Sequence, residues 1–246
     1  MAISINQVRN VVMFLLNKQN RGYLGVDEFN SFCQLAQLDI FEGLFYQYNQ
    51  FINKENRRLT GAEYANIPKN LREQIDVFSE YTTQANFTYD GTTNLWSYTG
   101  NDLYRVENLS LVETATQKKV DIQEVQKREL NILKNSPMTS PSLLFPCYVR
   151  KGVNFEISPI VPSGYYAEMF YIRTPKAPKW TFVLINNNPI FNPSASDFQD
   201  IEIHISLFDK FVTKVLSYAG LSIREQEVQA AASSEEMTQY QKENQP

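Results

Sequence analysis

Residues 17–28, NKQNRGYLGVDE, have the spacing of a calcium-binding loop, with Gly22 at the sixth position, apolar Leu24 at the eighth and Glu28 at the twelfth. Calcium also needs hard oxygen donors at the first, third and fifth positions, which here are Asn17, Gln19 and Arg21. Arg21 puts a fixed cation where the dication would sit. The stretch is therefore expected to be a rigid corner between two helices, with Gly22 at positive φ and Arg21 paired to Asp27 or Glu28.

The other residues that could do chemistry are sparse. The single histidine, His204, lies in the apolar alternation IEIHIS near a helix start, where a hydrogen-bonded structural role is the default. Metal sites usually gather several His or Cys, and Cys33 and Cys147 stand far apart without metal or disulfide spacing, which points to a reducing compartment. Dinucleotide-binding, phosphate-loop, nucleophile-elbow and zinc-helix motifs are missing, and no compact carboxylate pair sits in an apolar strand. These patterns give no catalytic residue, no metal site and no cofactor. Arg173, Lys176 and Lys179 surround Trp180 in a cluster that could touch phosphate and stack a base, although a docking edge between subunits is the favoured reading.

The 246 residues carry a net charge of −4, which argues against a general nucleic-acid binder because phosphate contact needs concentrated positive charge. Fourteen Tyr and sixteen Phe give more aromatic surface than one stripe per helix requires. No apolar run approaches the roughly 20 residues of a membrane span, and the start MAISINQV lacks a secretory pattern, so a soluble, unprocessed chain is expected.

The elements that must position these residues follow from periodicity. Ser4 to Gln7 reads as a capping box before Ile5, Val8, Val12, Leu15 and Leu16 at helical spacing. A second, longer helix follows the corner, residues 53–66 read as a polar connection, and Pro68 opens a third helix. A β region begins near Tyr81 and includes an Asp90-Gly91 turn. Within it, Asp121 and Glu124 suggest a capping pair for an inserted helix over 122–135. Further strands are expected over 143–149, 154–158, 165–173 and 181–185, then a polar connection over 186–197, and then a helix that Gly220 should stop. The tail is rich in Glu and Gln with few large apolar residues, so it needs a partner to order. The expected fold is α+β: a helical domain over 1–80 completed by a late helix over 204–220, an antiparallel β domain over 81–200, and an extended arm over 221–246.

The opening INQVRNVVMFLLNKQNRGYLGVDEFNSFCQLAQLDIFEGLFYQYN resembles the first two helices of head-to-tail connector proteins of crAss-like bacteriophages. The later segments PCYVRKGVNFEISP, AEMFYIRTPKAPKW and FQDIEIHISLFDKFVTKVLSYAGLSIREQEVQ are similar in kind and order to those of phage ring and adaptor subunits. The resemblance implies a structural virion protein in a homo-oligomeric ring of twelve copies at the head–tail interface, assembled in the host cytoplasm. Its partners would be the portal protein, neighbouring tail rings and genomic DNA passing without sequence-specific binding, with no membrane involved. An acidic lining would keep DNA sliding. Subunit contacts are expected at Phe41, Phe45 and Tyr48 on the long helix, at Arg173 and Trp180, and at Ile223, Val228, Met237 and Tyr240 on the tail. The competing readings are a degenerate EF-hand-like calcium-responsive module and a small tail-associated hydrolase. Against the first, millimolar calcium should leave the amide spectra of residues 17–28 unchanged; shifts centred on Gly22 would revive the calcium site.

Overall fold

The computed structural model describes residues 3–17, 24–58, 67–91, 94–186, 188–223, 234 and 237–238. These form two compact units: residues 1–77 with 175–246, and residues 78–174. The boundary falls after Thr174 and not near Asp200, so the segment expected to end the β domain belongs to the helical unit.

In the helical unit, α1 (Ile5–Asn17) buries Ile5, Val8, Val12 and Leu16 of the stripe its spacing predicts, while Leu15 is exposed. Its first N–H, that of Ile5, donates to Asp200 Oδ1 at 3.0 Å, a cap supplied from 195 residues away. Beside it, Ile3 and Ile201 exchange a pair of antiparallel backbone hydrogen bonds. Helix α2 (Val26–Arg58) is longer than expected and runs through residues 53–58, which had read as a connection. Glu28, the would-be calcium ligand, instead accepts from the N–H of Gly25 at 3.0 Å and closes the start of α2, while residues 18–23 of the corner lie outside the described residues. Helix α3 (Ile67–Ile75) packs on α2. Helix α5 (Phe208–Ile223) packs on both α1 and α2 and buries Phe211, Val215 and Ala219. Gly220 does not stop α5; it is buried inside the helix, whose last residue is Ile223.

Gln37, fully buried on α2, donates to the carbonyl of Lys176 at 2.7 Å and accepts from the N–H of Glu202 at 3.1 Å. One amide thus holds two passes of the returning chain against α2. That chain forms a hairpin of β10 (Phe182–Ile185), where a strand was expected, and β11 (Asn188–Phe191), within the stretch expected to be a polar connection.

The second unit faces two sheets against each other. One is antiparallel, in the order β1 (Ser79–Thr82), β9 (Tyr165–Arg173), β4 (Leu103–Glu113), β5 (Lys119–Asp121). The other runs β2 (Phe87–Asp90), β3 (Leu95–Tyr98), β8 (Asn154–Ser158), β7 (Cys147–Lys151), β6 (Gln123–Glu124). The last pair, β6 with β7, is parallel, the one exception among these ladders to the expected antiparallel pairing. Alternate residues from both sheets, including Trp96, Leu109, Leu111, Phe155, Ile157, Ala167 and Met169, make a single core.

Helix α4 (Lys127–Asn135) lies on the outer face of β7, where Leu130 meets Cys147 and Val149. It starts later than its sequence suggested, because Asp121 is on β5, accepting from Asn108 and Ser110, and Glu124 is on β6, accepting from the Tyr148 hydroxyl. Glu156, facing outward from β8, ties the helix down: its carboxylate meets Lys127 at 2.7 Å, Lys151 at 2.9 Å and Lys134 at 3.5 Å. Hydrogen bonds from Lys127 and Lys151 lower its pKa to about 2. A depressed folded-state pKa stabilises the fold above the unfolded value of about 4.3, and this contribution is lost as pH falls through the folded one. Comparing denaturant unfolding of the wild type and Glu156→Gln should therefore show the wild type ahead by a constant margin above about pH 5. The margin should close as pH approaches 2; a margin independent of pH would show that the lysines do not hold Glu156 ionised.

Candidate assembly surface

Trp180 is 1% exposed. Its backbone N–H donates to Asn30 Oδ1 at 2.9 Å, and Asn30 Nδ2 donates back to the Trp180 carbonyl at 3.3 Å, so the α2 amide replaces the strand partner this backbone lacks. The indole Nε1–H donates to Asn6 Oδ1 on α1 at 3.1 Å. The guanidinium of Arg9, one turn further along α1, lies 3.8 Å from the indole centroid, a close cation–π contact. Phe182 and Phe191 lie nearly parallel to the indole, with centroids at 5.8 and 6.0 Å.

These contacts fix the base of the hairpin. Phe182 and Phe191 are register partners, and just below them Asn192 donates its N–H to the Thr181 carbonyl at 2.9 Å. Lys179 pairs with Gln199 in a backbone bridge and with Asp197 at 2.6 Å. Beyond the base the hairpin stands in solvent, with Val183, Leu184, Ile185 and Ile190 all exposed and Leu184 reaching 63%. Asn186 turns the chain at φ 51°, a left-handed conformation that Asn tolerates. No charged residue occurs in FVLINNNPIF, residues 182–191.

The structure redistributes the residues expected at subunit contacts. Trp180 is buried and anchors the hairpin, while Phe182, Val183, Leu184, Ile185 and Ile190 are exposed. Phe41 is also buried, meeting Phe45 edge-on at 5.1 Å; Phe45 and Tyr48 are half-buried, and the exposed aromatic on that stretch of α2 is Tyr46. Arg173, which belongs to the second unit, is buried with its Nε 2.6 Å from Glu80 Oε1. Met237 is exposed, Ile223 ends α5, and Val228 and Tyr240 lie outside the described residues.

Chemistry-bearing groups elsewhere are engaged in structure. His204 Nδ1 accepts from the N–H of Ser206 and caps the short helical turn Ile205–Leu207. Burial pushes both thiols, Cys33 and Cys147, up and away from the reactive thiolate. One cluster invisible to sequence spacing joins Glu80, Tyr98, Asp102 and Tyr171. The two hydroxyls lie 2.7 Å apart, and each also reaches a carboxylate oxygen. Gly100 makes room for it, since a side chain there would run into the Tyr98 ring. Burial raises both tyrosine pKa values, which keeps the hydroxyls as donors to the two acids. Among the described residues no cluster of His, Cys, Asp or Glu has the geometry to hold a metal ion.

No protein-family model matches the chain, and no match was found among curated proteins. The local signal for the hairpin was present in the sequence: an apolar run, Asn-Asn-Asn at a turn, then a second apolar run. Its exposure was not, because an apolar strand normally implies a buried face.

Trp180→Ala should cost about 3–5 kcal/mol of stability in the helical unit, the usual range for deleting a buried Trp. It should also accelerate amide exchange across residues 182–191. Exchange there unaltered by the substitution would show that the indole does not hold the hairpin.

Proposed function

We propose that this chain is a non-enzymatic virion protein, a ring subunit in the head-to-tail connector of a tailed bacteriophage of the crAss-like kind, joining portal to tail around the DNA exit channel. The observation that carries this reading is that the chain displays two unlike apolar surfaces. One is the charge-free hairpin held by Trp180. The other, in the second unit, runs from Ile132 on α4 through the following loop to Phe145, with Met138 96% and Phe145 78% exposed. A single copy has no use for either, and exposed apolar surface on this scale marks interaction sites.

Two different patches per subunit are what a head-to-tail interface requires, and such an interface closes into a ring when its rotation permits. The net negative charge suits a conduit along which DNA slides and does not stick. Among the described residues no helix is long and apolar enough to cross a membrane. The order of helices, strand pairs and closing helix adds the resemblance to ring and adaptor subunits.

Electron microscopy combined with mass spectrometry of purified phage particles carrying this sequence tests the reading. The expected result is the chain in a closed ring of twelve copies between portal and tail. Absence from the neck, or a location only on a fibre or in the host cell, would overturn it.

A further inference from the structure

We propose that the β10–β11 hairpin of one copy docks on the apolar segment 132–145 of a second copy, making this pair of surfaces the repeating contact between subunits. The inference rests on the ring reading and names the surfaces that would carry it.

Three observations select a second copy as the occupant. First, residues 182–191 and residues 136–146, SPMTSPSLLFP, are both free of charge in a chain whose residues are 20% charged, and the one charged residue of 132–145, Lys134, is paired with Glu156. A hairpin with no charge has nothing to offer a phosphate backbone or an ionic groove, and its complement is an apolar surface of the same character.

Second, both surfaces are shaped before they meet. The hairpin is fixed at its base by Trp180, and the opposing segment carries Pro137, Pro141 and Pro146. Its tip is a tight turn in which Ser142 and Phe145 exchange backbone hydrogen bonds, with Leu144 and Phe145 exposed. Little ordering entropy remains to be lost on contact.

Third, the area fits repeated contacts better than an isolated pair. The exposed hairpin side chains offer on the order of 400 Å² of apolar surface, within the range of a functional patch. A standard stable interface buries roughly 800 Å² per partner. One hairpin contact is thus weak alone and becomes sufficient when every copy uses both of its surfaces in a closed ring.

The test uses the full chain with a photo-crosslinking phenylalanine analogue in place of Leu184, mixed with isotopically heavy wild-type chain at the highest soluble concentration. The expected result is mixed light–heavy products joining position 184 to the peptide spanning residues 132–146. Changing Met138→Ser and Phe145→Ser together in the heavy chain should lower their yield roughly tenfold, as a loss of about 1.4 kcal/mol would. Its thermal unfolding should stay unchanged, since both side chains are exposed. Crosslinks confined to one chain, crosslinks to another surface of the second copy, or no crosslink between copies would each overturn the docking. A ring in the neck whose hairpins crosslink elsewhere would remove this inference and leave the ring reading. Crosslinks to 132–146 in a chain missing from the neck would do the reverse.

Discussion

A single buried indole holds the base of the apolar hairpin that the helical unit exposes. Trp180 donates its backbone N–H to Asn30 and its indole N–H to Asn6, accepts from Asn30 at its carbonyl, sits under the Arg9 guanidinium, and lies beside Phe182 and Phe191. A two-stranded hairpin is marginal in water by itself. Each hydrogen bond contributes on the order of 1 kcal/mol net. A desolvated cation–π contact adds up to about 2 kcal/mol. The anchor offsets the cost of holding apolar strands in solvent, and it does so by joining α1, α2 and the returning chain at one point.

The second unit uses a comparable device with different chemistry. Its two sheets share a core of alternating side chains, and the outer face of β7 receives Leu130 of α4. Glu156 then fixes α4 through lysines at both ends of the helix, Lys127 and Lys134. With α4 held, the loop from Ser136 to Pro146 exposes Met138, Leu144 and Phe145. In each unit a polar or ionic anchor inside the fold supports an uncharged surface outside it. Such surfaces are costly in an isolated chain and are expected where another chain covers them.

Much of the local structure was legible because periodicity is local. The stripe of Ile5, Val8 and Val12, the strands Asn154–Ser158 and Tyr165–Arg173, and the end of α4 before Pro137 follow from spacing and breakers. What spacing did not reveal was long-range. Asp200 caps α1, Gln37 binds Lys176 and Glu202, and Glu80 meets Tyr171 only because the fold brings them together. The same limit applies to the residues expected at contacts: a hydrophobic pattern says that an aromatic is covered but not by which chain. Phe41 and Trp180 are covered by their own unit, whereas the hairpin that Trp180 supports is left open.

The open hairpin of the free chain is expected to be completed by assembly. Amide hydrogen exchange over residues 182–191, compared between the dilute chain and the assembled ring, measures this directly. The expected result is strong slowing in the ring, together with slowing across residues 132–145 and little change in the buried strand Asn154–Ser158. Exchange at the hairpin that stays as fast in the assembled ring as in the free chain would contradict the account.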